Sequence, residues 1–176
     1  MKLWCWALLA TVAAVSGREA LASFAGNARS LPADRRATVE SEVRQFTATV
    51  AHDVTSQGPI AWRKFFSDQP EFFMAVDGQL AFPSGAAAAA AVPQIASQFK
   101  HIELQWGADL RLDPLTDKLC SVATSYTENI ELQPGVTGMP SGREVGYFTG
   151  IAESRDGHWQ FRNAHWSQPL PAAKTP

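Results

Sequence analysis

REVGYFTGIAESRDGHWQFRNAHWS, residues 143–167, is the stretch from which the rest of the chain is read. Two runs rich in aromatic and β-branched residues flank Asp156-Gly157, a pair that accepts positive φ at both central positions of a tight hairpin turn. A period of two along the second run puts Trp159, Phe161, Asn163 and His165 on one face. That face begins apolar and ends polar, as in a strand that leaves a packed core and enters a pocket. The expectation is an antiparallel hairpin whose inward face ends at His165.

Upstream of the hairpin the chain also reads as sheet. Residues 101–112 alternate, with Ile102, Leu104, Trp106, Ala108, Leu110 and Leu112 on one side, and Asp113-Pro114 is expected to turn the chain. Residues 119–132, rich in Val, Thr, Tyr and Ile, form the next strand, and residues 134–142 a Gly- and Pro-containing loop. A second Asp-Gly pair, Asp77-Gly78, folds residues 72–76 back onto 79–82.

Helical patterns come first in the chain. Val39, Val43, Phe46, Val50 and Val54 make an apolar stripe on a helix of about five turns, with Asp34 expected as its cap. Gly58-Pro59 restarts a short helix bearing Ala61, Trp62, Phe65 and Phe66, which Pro70 should end. Ser84 should cap an alanine-rich helix that Pro93 kinks or divides. Helices followed by long antiparallel strands predict an α+β domain, a curved, mostly antiparallel sheet wrapped around N-terminal helices, with a cavity where the curvature leaves a gap.

The length, 176 residues, supports one domain. Lys2, the apolar run of residues 3–15 and Ala20-Leu21-Ala22 have the pattern of an export signal over residues 1–22. A flexible leader (23–33), the domain (34–168) and a disordered tail (169–176) follow. The expected location is the periplasm or the exterior, with membrane contact only through the signal segment before cleavage. A net charge of −2 without a basic patch argues against nucleic acid as a partner. Of the two cysteines, Cys5 falls in the signal, and Cys120 is read as buried packing rather than a nucleophile. No His-x-His, His-x-x-x-His or Cys-x-x-Cys spacing occurs, so no metal and no other cofactor is expected. Nucleophile elbows, phosphate-binding glycine loops and dinucleotide fingerprints are also missing.

The order of elements resembles the nuclear-transport-factor-2-like superfamily, in particular its SnoaL-like branch. The resemblance rests on the long first helix, Gly58-Pro59-Ile60-Ala61-Trp62, the hairpin around Asp77-Gly78, and the close of the chain from Asp156-Gly157-His158-Trp159 to Ala164-His165-Trp166-Ser167. It covers roughly residues 36–168. It implies a cone-shaped, cystatin-like α+β fold with a pocket between sheet and helices, and pairing into a homodimer through the sheet. The superfamily hosts isomerases, dehydratases, binding proteins and assembly modules, so the fold alone does not choose a function. Its isomerases use a tyrosine and two acidic groups in an apolar pocket. The first helix here has no Tyr, so that set does not transfer. Its dehydratases use an Asp and two His, for which the chain offers Asp53, His101 and His165.

Three readings result. The first is an exported domain binding an apolar or aromatic small molecule, with Trp62, Phe66, Trp106, Trp159, Phe161 and Asn163 lining the pocket. The second is a metal-free lyase or isomerase with His165 as general base, helped by Tyr126 or Asp53. The third is an interaction module that dimerises through its sheet without a ligand.

Overall fold

The valine stripe builds the first element of the computed structural model, which describes residues 31–169. Helix α1 spans Ala33–Gln57 and buries Val39, Val43, Phe46, Thr47, Val50 and Val54. Its 25 residues exceed the expected length, because polar turns extend both ends of the apolar stripe. Pro32, with φ fixed near −51°, occupies the cap position. Asp34 therefore lies inside the first turn, where its charge favours the helix N-terminus without capping it. Valine is a mediocre helix former, so the stability of α1 comes from the face it buries.

A 3₁₀ turn, Pro59–Ala61, leads into the short helix α2, Trp62–Phe65. This helix ends well before Pro70. Phe66 is extended (φ −85°, ψ 137°) and bridges to Phe161, and the Ser67 N–H donates to the Phe161 carbonyl at 2.9 Å. Strands β1 (Phe73–Val76) and β2 (Gln79–Phe82) form the first hairpin. Helix α3, Gly85–Ala96, follows, and Ser84 Oγ accepts from the Ala87 N–H at 3.2 Å. Pro93 falls in its last turn, and the helix continues through it in one piece.

Five more strands complete the chain: β3 (Phe99–Trp106), β4 (Arg111–Pro114), β5 (Leu119–Leu132), β6 (Gly142–Arg155) and β7 (His158–Ser167). The expected single strand over 101–112 is thus two. Residues 107–110 leave the sheet opposite Thr124 and Ser125. The Asp109 carboxylate fills the gap, accepting from the Ser125 N–H at 2.9 Å and Ser125 Oγ at 2.7 Å. Asp113-Pro114 stays within β4, and the turn comes at residues 115–118. Both Asp-Gly turns are as expected, with φ of 48° and 79° at Asp77 and Gly78 and 50° and 79° at Asp156 and Gly157.

The seven strands run in the order β2-β1-β7-β6-β5-β3, with β4 also on β5. Pairing is antiparallel except between β1 and β7. The sheet curls as a cone over the helices. Phe148 and Phe161 are fully buried, with ring centroids 5.0 Å apart, and Phe161 meets Phe46 of α1 at 4.9 Å. Edge strand β3 is tied to α1 through Thr55 Oγ1, which accepts from the Leu104 N–H at 3.0 Å. The expected signal, residues 1–22, and nearly all of the leader and tail lie outside the described residues.

Candidate functional site

Strand β5 presents its even-numbered residues to the helices. Cys120, Val122, Thr124, Tyr126 and Ile130 are buried in that register, and Glu128 shares it, half-buried. At the α1 end these side chains pack solidly. Toward α2 and α3 the cone stays open, and a cavity of about 270 Å³ remains. Its walls come from every layer: Trp62 and Phe66 from α2 and the residue after it, Met74 and Phe82 from the first hairpin, Val92 and Ile95 from α3, and Trp166 from β7. Met139 and Pro140 of the β5–β6 loop close one side.

Among these apolar walls stand Tyr126, Glu128, Glu144 and Gln168. Glu128 and Glu144 are directly paired across β5 and β6. Burial first, and then the Glu144 carboxylate, push the Glu128 carboxyl up to about 7. Tyr126 is raised to about 12, chiefly by burial and next by the negative charge of Glu128, so its hydroxyl stays protonated as a donor. The tyrosine ring lies over Gly146, its cross-strand partner; a Cβ at Gly146 would fall 2.6 Å from the Tyr126 hydroxyl. Gln168 Nε2 donates to Glu144 at 3.0 Å, and the Gln168 N–H donates to Asp77 at 2.8 Å. The arrangement provides an apolar chamber with a carboxyl that exchanges protons near neutral pH and a neutral hydroxyl donor two residues away on the same strand face.

His165 is not part of it. Ile151 of β6 pairs with Asn163, but its neighbour Ala152 pairs with Phe161, which leaves Arg162 as an extra residue in β7. Such a bulge shifts the alternation by one position. Phe161, Ala164 and Trp166 therefore point inward, and His165 is exposed on the outer face. Asn163 is spent on the bulge itself, its Oδ1 accepting from the Ile151 N–H at 3.0 Å. His101, at an odd position of β3, is likewise exposed.

Asp53 is also outside the cavity. It pairs with Lys64 Nζ at 2.5 Å and His52 Nδ1 at 2.9 Å, and hydrogen bonds from these two hold its carboxyl below the usual range. The Asp-and-two-His set therefore does not converge. Of the expected lining residues, Trp62 and Phe66 do line the cavity. Trp106 packs on Phe148 at 5.2 Å and donates to the Thr47 carbonyl at 2.8 Å, which fastens β3 to α1. Trp159 reaches the N-terminal half of α1 and donates to Glu42 at 3.1 Å. Phe161 is solid core. Cys120 is fully buried, and desolvation pushes its thiol up to about 11, far from nucleophilic use. Sequence reasoning missed Glu128 and Glu144. The available signal was an acid at position 128 in the same phase as Val122, Tyr126 and Ile130.

No protein-family model matches the chain, and no curated protein matches it in sequence. Solved structures do match. A nuclear transport factor 2-like superfamily protein from Salmonella enterica serovar Typhimurium LT2 superposes with a TM-score of 0.63 at 11% identity, covering 80% of this chain and 99% of that one. A candidate scytalone dehydratase from Novosphingobium aromaticivorans gives 0.65 at 12%, covering 79% and 89%. A hexachlorocyclohexane dehydrochlorinase of type 3 from Novosphingobium barchaimii LL02 gives 0.56 at 14%, covering 81% and 97%. At these identities the likeness is one of fold, and the chain has the nuclear-transport-factor-2-like fold.

Proposed function

We propose that this chain is an exported small-molecule-binding domain of the SnoaL-like type, and that Glu128 exchanges a proton with an apolar or aromatic ligand, as in a lyase or isomerase. One observation carries the proposal: a carboxyl raised to about 7 inside a 270 Å³ chamber of apolar walls. A base with a pKa near the working pH combines a large ionised fraction with useful basicity. Tyr126, kept protonated, supplies a hydrogen bond to an oxygen on which negative charge develops. The chemical set, one tyrosine and two acids among apolar walls, matches the kind the isomerase members use, here supplied entirely by β5 and β6. Eliminating enzymes with this fold, a candidate dehydratase and a dehydrochlorinase, support the same class of chemistry.

Native mass spectrometry of freshly purified protein should reveal a retained small molecule. Hydrogen–deuterium exchange at carbons next to a carbonyl, followed by NMR over a panel of aromatic ketones, should show catalysis that Glu128→Gln abolishes and His165→Ala leaves intact. Exchange unaffected by Glu128→Gln would remove Glu128 from the chemistry. Export is part of the proposal, and periplasmic protein beginning near Ser23 would support it. So is pairing through the outer sheet face, where Val145 and Tyr147 are exposed; sedimentation of the wild type against Tyr147→Glu reads it.

A further inference from the structure

The cavity has a chemical polarity of its own. Both charged residues in its lining are acids, Glu128 and Glu144, and no Lys, Arg or His is among the lining residues. Among the described residues neither acid takes part in an ion pair. Some acids elsewhere do have cationic partners: Asp53 with Lys64, Glu131 with Lys100, and Glu153 with Arg155 and Arg162. The β1–β2 turn brings a third carboxyl, Asp77, close enough to raise the Tyr126 hydroxyl. The polar neighbours facing this end are otherwise neutral: Tyr126 and Gln168, whose amide donates to Glu144. The rest of the lining includes Trp62, Phe66, Phe82 and Trp166.

A neutral apolar ligand would seal the two acids against low-dielectric walls with the Gln168 amide on Glu144 but no positive charge to balance their ionised forms, an arrangement that costs free energy. A cationic head would balance them, and aromatic rings attract cations as well. A bare divalent ion fits less well, since Ca²⁺ and Mg²⁺ take about six oxygen ligands and the chamber is mostly hydrocarbon. We infer that the cavity selects a ligand with a cationic nitrogen at one end of an apolar or aromatic body, a lipophilic amine or quaternary ammonium compound. This deepens the functional reading above and rests on the cavity being a ligand site.

Benzyltrimethylammonium and neopentylbenzene test it, because they share a shape and differ in one fixed charge. Kd values come from ligand-observed NMR at about pH 5.5 and about pH 8.5. The cation does not titrate, so any pH effect belongs to the protein. At the higher pH the cation should bind about tenfold or more tightly than the hydrocarbon. Its affinity should fall about tenfold or more at the lower pH, where a proton on Glu128 competes with it. Glu128→Gln and Glu144→Gln should each shrink the preference about threefold or more, by weakening the cation and by relieving the cost of enclosing the hydrocarbon. Equal or tighter binding of the hydrocarbon by the wild type overturns the charge selection and leaves the ligand pocket standing. Failure of both probes to bind, together with no retained molecule by mass spectrometry, overturns the pocket reading as well.

Discussion

Replacing Glu128 with Gln should make the protein less sensitive to alkali. In the folded chain the Glu128 carboxyl lies at about 7, against 4.5 for an unperturbed glutamate. The native state therefore holds a proton that the unfolded chain has already released. Stability from this group is fully present below about pH 4.5 and is lost as pH rises through 7. Over the interval from about pH 5 to about pH 8.5, the shift corresponds to a loss of roughly 2–3 kcal/mol. Glutamine is nearly isosteric and cannot ionise, so the variant escapes that loss. Urea denaturation of both proteins at each pH reads it: the stability of Glu128→Gln relative to wild type should rise by about 2–3 kcal/mol across the range. Burial is the larger cause of the shift and Glu144 the smaller, so Glu144→Gln should remove less than half of the dependence. A stability difference between wild type and Glu128→Gln that does not change with pH would refute the reasoning.

Phe161→Ala removes a fully buried ring held between Phe46 and Phe148, and should cost about 3–5 kcal/mol by the same urea assay. Asn163→Ala deprives the Ile151 N–H of its acceptor at the bulge; a loss of about 1–3 kcal/mol is expected, with faster amide exchange at Ile151. His165→Ala, exposed on the outer face, should change stability by no more than about 0.5 kcal/mol.

The helix stripe, both hairpins and the full extent of β5 were legible because each rests on a local rule: 3.6-residue periodicity, positive φ at Asp-Gly, or a long β-branched run. The site was harder. Trp159 and Phe161 occupy one phase of β7 and Ala164 and Trp166 the other, so the strand carries two competing apolar registers. Both are honoured because Arg162 bulges between them, and neither a glycine nor a proline marks the spot. Reading only the first register sent His165 inward. Glu128 was legible in principle from its phase within β5. The joining of Glu128 to Glu144 depends on a β5–β6 register that no local pattern sets.

The last strand to be made occupies an interior place in the sheet. β7 lies between β1 and β6, supplies Phe161, Ala164 and Trp166 to the core, and among the described residues is the only long-range strand neighbour of the first hairpin. Without β7 the first hairpin has no sheet to join, and α1 lacks the Phe161 ring that packs on Phe46. Completion of the sheet therefore waits on pairings that join the two ends of the domain. A closure that links sequence-distant segments in this way makes the hairpin, the first helix and the final strand gain or lose their order together.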